Sequence, residues 1–431
     1  MHGHKKEYRE VCSGFWRKTG TQCIFPVCMH FWLNLREPTH ACPLQITTVM
    51  ALVPGLSFVD THAHGEQDSG FGFKNKPDIT VYSDGKKEMQ GCCEAKSMEM
   101  HIEFEWQGDD PFIVPHNKMP CRKQRFVKKS AAAIEILGQI TTYVGAQMSA
   151  QFCTHVFSIL LMCQQAWILQ WDRKGVVVME PIHYCDNTAL LNFLSCYLQA
   201  SPSECGVDTM ILHTTKQEAK RAREKLLLPP KMQAFKAKVP KAGATPKQMI
   251  SPIFPTSWFL SELPASHVTH GCPAYYVEEG LAVYLKDSWW IIADGIVSEG
   301  NTYTELNKKK VLHVSVCLAS REVEAHELQQ PQTQKCSREA WACSSRLCIL
   351  IHSHYQLTLD IVGKALCEFS STHELVQAIC DMLCGKLLLN VAVRITTIMT
   401  CSQLMKQHGL STFCIGMSVL ATSSFPVEED F

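Results

Sequence analysis

The chain has 431 residues, 46% of them hydrophobic, with 41 Lys and Arg balanced by 41 Asp and Glu. That length suggests two or three domains with ample core material, and a net charge of zero excludes a whole-chain electrostatic drive toward nucleic acid or membrane. The 22 cysteines are scattered without a CxxC pair or zinc-site spacing, so they read as free thiols and not as a disulfide scaffold.

Residues 1–50 mix Trp, Cys, His and Lys with no steady period and form an unassigned leader. His2, His4, Lys5, Lys6, Glu7 and Arg9 precede any apolar run, which argues against a secretory signal and for a cytoplasmic or nuclear protein. Residues 51–215 alternate strand-like runs (HIEFEW, HVFSILLM, AWILQW, GVVVMEP) with one helix-like run, Ala131 to Ala150, predicting an α/β or α+β domain. Inside it, Phe58 to His64 forms an apolar strand ending in His62-Ala-His64, as in metal-dependent amidohydrolases, but the later ligands and repeated βα units of such a barrel are not evident.

Residues 216–265 read as a basic helix, with Lys220, Arg221, Arg223 and Lys225, followed by a Pro-rich basic linker. The linker is expected to be a solvated, extended spacer, and its sparse aromatics argue against a nucleic-acid partner. The alternating run Ala282 to Lys286 predicts a strand ending in lysine, and Glu299, thirteen residues later, opens a helical pattern. Ser371 to Cys384 predicts a helix with a capping box of Ser371 and Glu374 and a core face of Leu375, Ile379 and Leu383. Between Gly385 and Val427 there is no aspartate or glutamate, and the charge-free run His408 to Val427 reads as a weakly apolar tail and not as a membrane span.

The wording THGCPAYYVEEGLAVYLKDSW, then WACS, HYQLTLDIVGKAL and STHELVQAICDML resembles, in order and spacing, the fungal-type protein kinase family. Upstream, VPGLSFVDTHAH, KPDITVY, IEFEW and ILQWDRKGVVVMEPIHY are similar to that family's amino-terminal region, so the resemblance covers about residues 51 to 384. It implies an α+β protein: an amino-terminal restriction-nuclease-like α/β domain (51–215), then a kinase-like amino lobe and hinge (266–384). It also implies ATP-dependent phosphorylation of Ser or Thr on protein substrates, with ATP and Mg as cofactors. By carry-over, Lys286 pairs the phosphates, Glu299 orients it, Gly271 is what remains of the glycine-rich loop beside Ser266 and Val268, and Asp360 lies in the hinge region Leu357 to Gly363.

The helix ending at Cys384 should lead into His-Arg-Asp and Asp-Phe-Gly segments, and residues 385–431 contain neither. No catalytic residue is therefore assigned; the expectation is a truncated kinase relative without its carboxyl lobe, inactive as written. Alternatives are a non-catalytic kinase-like binding module and a metal-dependent nuclease relic. An amino lobe without its partner lobe would expose apolar surface. The family has arginine where this chain has Cys153, Trp167, Gln170, Cys205, His270, Trp290 and Cys380, replacements that CG-to-TG or CG-to-CA transitions in arginine codons produce.

The amino-terminal region also resembles the site layout of PD-(D/E)XK nucleases, through Asp78, Glu103, Glu105, Gln139 and Tyr143. In that layout two acids hold a divalent cation and a lysine polarises the attacking water. Glu105 stands at the lysine position, so the resemblance implies a relic of the site and not an active nuclease.

Overall fold

The computed structural model describes residues 53–392 apart from 64, 66–74, 84–92, 106–109, 114–125, 164, 185–187, 242–248, 256–268, 294–295, 324–328, 337–350 and 365–367, together with 400–401 and 417–418. The described residues are α+β and fall into two units, one drawn from residues 1–209 and 330–349, the other from 210–259, 269–329 and 350–431. The expected leader 1–50 lies outside the described residues, as does nearly all of 393–431.

The first unit is a six-stranded sheet in chain order, β1 (Leu56–Asp60), β2 (Ile79–Ser83), β3 (Met100–Glu105), β4 (His155–Met162), β5 (Ala166–Asp172) and β6 (Gly175–Val178). All neighbours are antiparallel except β3 and β4, which run parallel with Glu103 opposite Leu160. A parallel pair needs a crossover, and helix α1 (Ala131–Ala150) supplies it, capped by Ser130 Oγ accepting from the Ala133 N–H. Ile136, Ile140, Val144 and Met148 of α1 pack on one sheet face against Leu160, Trp167, Leu169 and Trp171. Helix α2 (Ala189–Gln199) covers the other face, with Leu190, Phe193, Leu194 and Tyr197 against Val81, Met100, Ile102, Ile159 and Ile168. Cover on both faces explains why every residue of β4 is buried and why HVFSILLM shows no alternation.

The second unit begins with β7 (Ile211–His213), helix α3 (Lys216–Leu226), β8 (Ala234–Ala237), a small ladder of β9 (Val239–Pro240) with β10 (Met249–Ile250), and β11 (Pro252–Pro255). β12 (Thr269–Tyr276), β13 (Leu281–Ile292), α4 (Glu299–Lys308) and β14 (Cys317–Glu322) follow. Helix α5 (Gln332–Cys336) belongs to the first unit, where Thr333 donates through N and Oγ1 to the Asp172 carboxylate at 2.8 and 2.7 Å. β15 (Ile351–Leu359) and α6 (Thr372–Ala392) return to the second. Its antiparallel sheet has the order β14-β15-β13-β12-β11-β8-β7.

Two local expectations are corrected. Of the expected helix and linker at 216–265, the helix forms as α3, but the described residues after it are not a solvated spacer: β8 and β11 extend the sheet, with Phe254 opposite Phe235 and Pro252 opposite Tyr276. Its prolines bracket β11 at the strand ends, where a missing N–H is tolerated, and Ile253 and Phe254 between them are buried. Helix α6 is turned away from its expected core face, for it buries Glu374, Ala378 and Asp381 and leaves Val376, Ile379 and Leu383 exposed at 58%, 38% and 48%. Glu374 accepts from both the N–H and the hydroxyl of Ser370, Asp381 accepts from Gln377, and His313 lies 3.8 Å from Asp381, so polar anchoring sets the inward side. Only half the expected capping box forms, the Glu374 N–H donating to Ser371 Oγ at 3.2 Å. Among the described residues no helix is long and apolar enough to cross a membrane.

Candidate functional site

Strand alternation in β13 puts Tyr284, Lys286 and Trp290 on the side that carries the core of Tyr303, Cys317, Tyr355, Leu357 and Leu359. Lys286 lies between Gly271 of β12 and Leu357 of β15. Its Nζ donates to Glu299 Oε2, the first residue of α4, at 2.6 Å, with the two side chains only 10% and 22% exposed.

Gly300 makes this approach possible. A Cβ there would sit 2.2 Å from Ser320 Oγ and 2.4 Å from the Tyr355 hydroxyl, so only glycine lets α4 rest this closely on the sheet. The Gly300 N–H donates to Tyr355 Oη at 2.9 Å, satisfying one of the helix's free N-terminal donors. Glu299 Oε1 is buried without a partner, and among the described residues Lys286 has no other acceptor. The ammonium therefore keeps donors for a second anion. Sequence reasoning missed Gly300 and Tyr355; a glycine directly after the acid that opens the helix was the available signal.

The other carried-over residues are placed less favourably. A Cβ at Gly271 would lie 2.0 Å from the Tyr284 hydroxyl, so the space that a phosphate-cradling glycine leaves open is filled by a phenol. Asp360 ties the end of β15 to the segment before β14, its Oδ1 accepting from the Val316 N–H at 2.8 Å while its own N–H donates to Val316 O at 3.0 Å. Ser266 and Val268 lie outside the described residues.

The sheet's other face holds a polar network that the sequence did not reveal. Asp287 lies 2.8 Å from His354 Nε2 and accepts from Gln356 Nε2 at 2.9 Å, His354 Nδ1 meets Gln329 Oε1 at 2.7 Å, and Trp289 stacks on the His354 ring at 4.9 Å. Burial alone would raise the Asp287 carboxyl, but the His354 ring and the Gln356 amide more than offset it and hold it below its ordinary value.

In the first unit, Asp78, Glu103, Gln139 and Tyr143 converge where β3 meets α1. Asp78 Oδ2 accepts from the Phe104 N–H at 2.9 Å, and the Asp78 N–H faces Glu103 Oε2 at 3.4 Å. Gln139 Nε2 reaches Glu103 Oε1 at 2.5 Å and Tyr143 Oη at 3.0 Å, and Tyr143 donates to Lys76 O at 2.8 Å. Burial, and then the Asp78 carboxyl, push Glu103 up to about 9, and burial raises Asp78 despite its Phe104 hydrogen bond. Glu105, which stands at the lysine position, is raised by burial and by Asp78. His101, two residues before Glu103, is fully buried with neither ring nitrogen hydrogen-bonded and is pushed down to about 3 by burial. Among the described residues no group of three His, Cys, Asp or Glu side chains is placed to hold a metal ion. At the amidohydrolase-like run, His62 is exposed and meets Asp60 at 2.5 Å, while His64 lies outside the described residues.

Comparison of the chain with family models, with curated proteins and with solved structures yields no match in any of the three.

Proposed function

We propose that the second unit is a protein-kinase-like amino lobe that works as a non-catalytic nucleotide-binding module. The observation that carries this reading is the 2.6 Å pair between Lys286 of β13 and Glu299 at the start of α4, the arrangement that holds ATP phosphates in kinases. Glu299 fixes the ammonium, whose remaining donors suit a phosphate oxygen. Phosphoryl transfer needs one aspartate to accept the hydroxyl proton and another to hold Mg²⁺, and residues 385–427 contain no carboxylate for either task. Tyr284 beside Gly271 crowds the usual phosphate cradle, which favours weak binding without turnover. For the first unit, the acid at 105, where a lysine would polarise the attacking water, supports a nuclease-like scaffold without nuclease chemistry.

Calorimetric titration of the full chain with ATP, with and without Mg²⁺, tests the proposal against the double variant Lys286→Met/Glu299→Leu. Replacing both charges with apolar side chains of similar size leaves no lone buried ion, so the fold is retained. Saturable binding by the parent chain, lost in the variant and unaccompanied by phosphate transfer, is the expected result. Failure of the parent to bind nucleotide would reduce the pair to a structural tie.

A further inference from the structure

Charge neutrality of the whole chain hides a local excess. Residues 216–241 hold nine basic residues, Lys216, Lys220, Arg221, Arg223, Lys225, Lys231, Lys236, Lys238 and Lys241, against two acids, Glu218 and Glu224. Both acids are engaged: Glu218 caps α3 through Thr215 and pairs with Lys236 at 2.9 Å, and Glu224 lies 3.8 Å from Lys220. Helix α3 buries Ala219 and Ala222, and its outward arc carries Lys216, Lys220, Arg221 and Lys225, all exposed, with the exposed Glu224 among them.

At the end of this basic arc stands Leu227. It is 92% exposed, while its neighbour Leu228 is buried. Its φ of 54° is left-handed, a conformation that a Cβ makes costly and that glycine usually takes at a helix C-terminus. The turn that presents it is braced, since the Leu227 and Leu228 N–H groups donate to Arg223 O, the Met232 N–H to Pro229 O and Arg223 Nη1 to Met232 O. The exposed Lys231 sits in that same turn. Leu227 is thus an apolar side chain held outward at the cost of a strained φ, with Lys225 two residues before it and Lys231 four after it.

We infer that α3 and the turn after it form a docking surface for an anionic lipid bilayer, with Leu227 entering the headgroup layer and Lys216, Lys220, Arg221, Lys225 and Lys231 facing the acidic headgroups. Lysines act as point charges suited to the diffuse potential of such a surface, whereas directed phosphate recognition favours the arginine fork. Arg223, the other guanidinium of the helix, is spent on Met232 O. A single-stranded nucleic acid would need exposed aromatic platforms, and the only aromatic residue in 216–241, Phe235, packs near Phe254 and His213.

Flotation of the full chain with vesicles tests this, because aggregated protein stays at the bottom of the gradient. The parent chain should float with phosphatidylcholine vesicles that contain about 30% phosphatidylserine, stay behind with phosphatidylcholine alone, and be released by about 0.5 M NaCl as the lysine attraction is screened. Leu227→Gly, which relieves the strained conformation and should melt no lower than the parent, is expected to weaken binding about tenfold. Lys220→Ala/Lys225→Ala should weaken it about 25-fold, roughly fivefold per lysine. Absence of flotation with acidic vesicles, equal flotation with neutral ones, or unchanged affinity of Leu227→Gly would overturn the inference. So would a polyuridylate oligomer that displaces the vesicles and binds Leu227→Gly as well as the parent, a result that gives the surface to nucleic acid.

Discussion

Gly300→Ala adds one methyl group where α4 meets the sheet, and the expected outcome is a marked loss of stability in the second unit. The new Cβ would lie 2.2 Å from Ser320 Oγ, 2.4 Å from Ser320 Cβ and 2.4 Å from the Tyr355 hydroxyl. Ser320 Cβ is fixed to the backbone of β14 and cannot swing aside, so the helix must move outward. Overpacking of this kind costs about 1–3 kcal/mol, and separating the Gly300 N–H from Tyr355 Oη, now 2.9 Å away, costs about 1 kcal/mol more. Alanine returns less than about 1 kcal/mol through helix propensity, since the site is in the first turn. The net loss of about 2–3 kcal/mol corresponds to a fall of roughly 5–10 °C in the melting midpoint of that unit. Gly138→Ala is the matched control, because Gly138 is exposed in mid-α1 and a Cβ there meets nothing within 4 Å. That substitution should stabilise the first unit by about 0.5–1 kcal/mol. Circular dichroism melts of both variants check the pair, and an unchanged or raised midpoint for Gly300→Ala would refute the close-approach reasoning.

Glu103→Gln should gain stability relative to the parent as pH rises. The folded Glu103 carboxyl titrates near 9 against an ordinary 4.5, so between those values the folded state holds a proton that the unfolded state lacks, and parent stability falls with pH. The glutamine variant escapes this loss, at most about 1.4 kcal/mol per pH unit; parallel urea curves for parent and variant at pH 5 and pH 8 would contradict it. Asp287→Asn should behave oppositely. The Asp287 carboxyl lies below its ordinary 3.8, so its contribution is fully present above that value and is lost as pH falls through the folded value. The variant should be less stable at pH 7 and converge on the parent in acid, and a gap that stays constant down to the acid transition would show that the His354 pairing contributes nothing.

What the sequence made legible was local. The run Ala131–Ala150 forms one helix because a serine cap precedes it and its apolar stripe keeps a helical period, and HVFSILLM and AWILQW are strands for equally local reasons. The strand lysine and helix acid were also within reach, since each stands in an element with a clear period. What was not legible depends on partners distant in the chain. Phe235 and Phe254 give no sign in their own surroundings that they face each other across β8 and β11, so a Pro-rich basic stretch reads as a spacer. His354 and Asp287 are 67 residues apart, and nothing in either strand's alternation announces a charged contact.

Helix α6 shows why hydropathy alone can choose the wrong face. Leu375, Ile379 and Leu383 make an apolar stripe at intervals of four residues, and Glu374, Ala378 and Asp381 make a mostly polar one at intervals of four and three. Burying a carboxylate without a partner costs several kcal/mol, so the apolar stripe is the default inward choice. Here Ser370 satisfies Glu374, and Gln377 and His313 both meet Asp381 Oδ1, which offsets much of that cost though Asp381 Oδ2 is buried without a hydrogen bond, and the helix seats on its polar side. Val376, Ile379 and Leu383 then face solvent together, an exposed apolar stripe of the kind that favours association. In this orientation Ile379→Lys should leave stability within about 0.5 kcal/mol of the parent while reducing self-association in sedimentation. A loss of several kcal/mol would instead return the leucine stripe to the core.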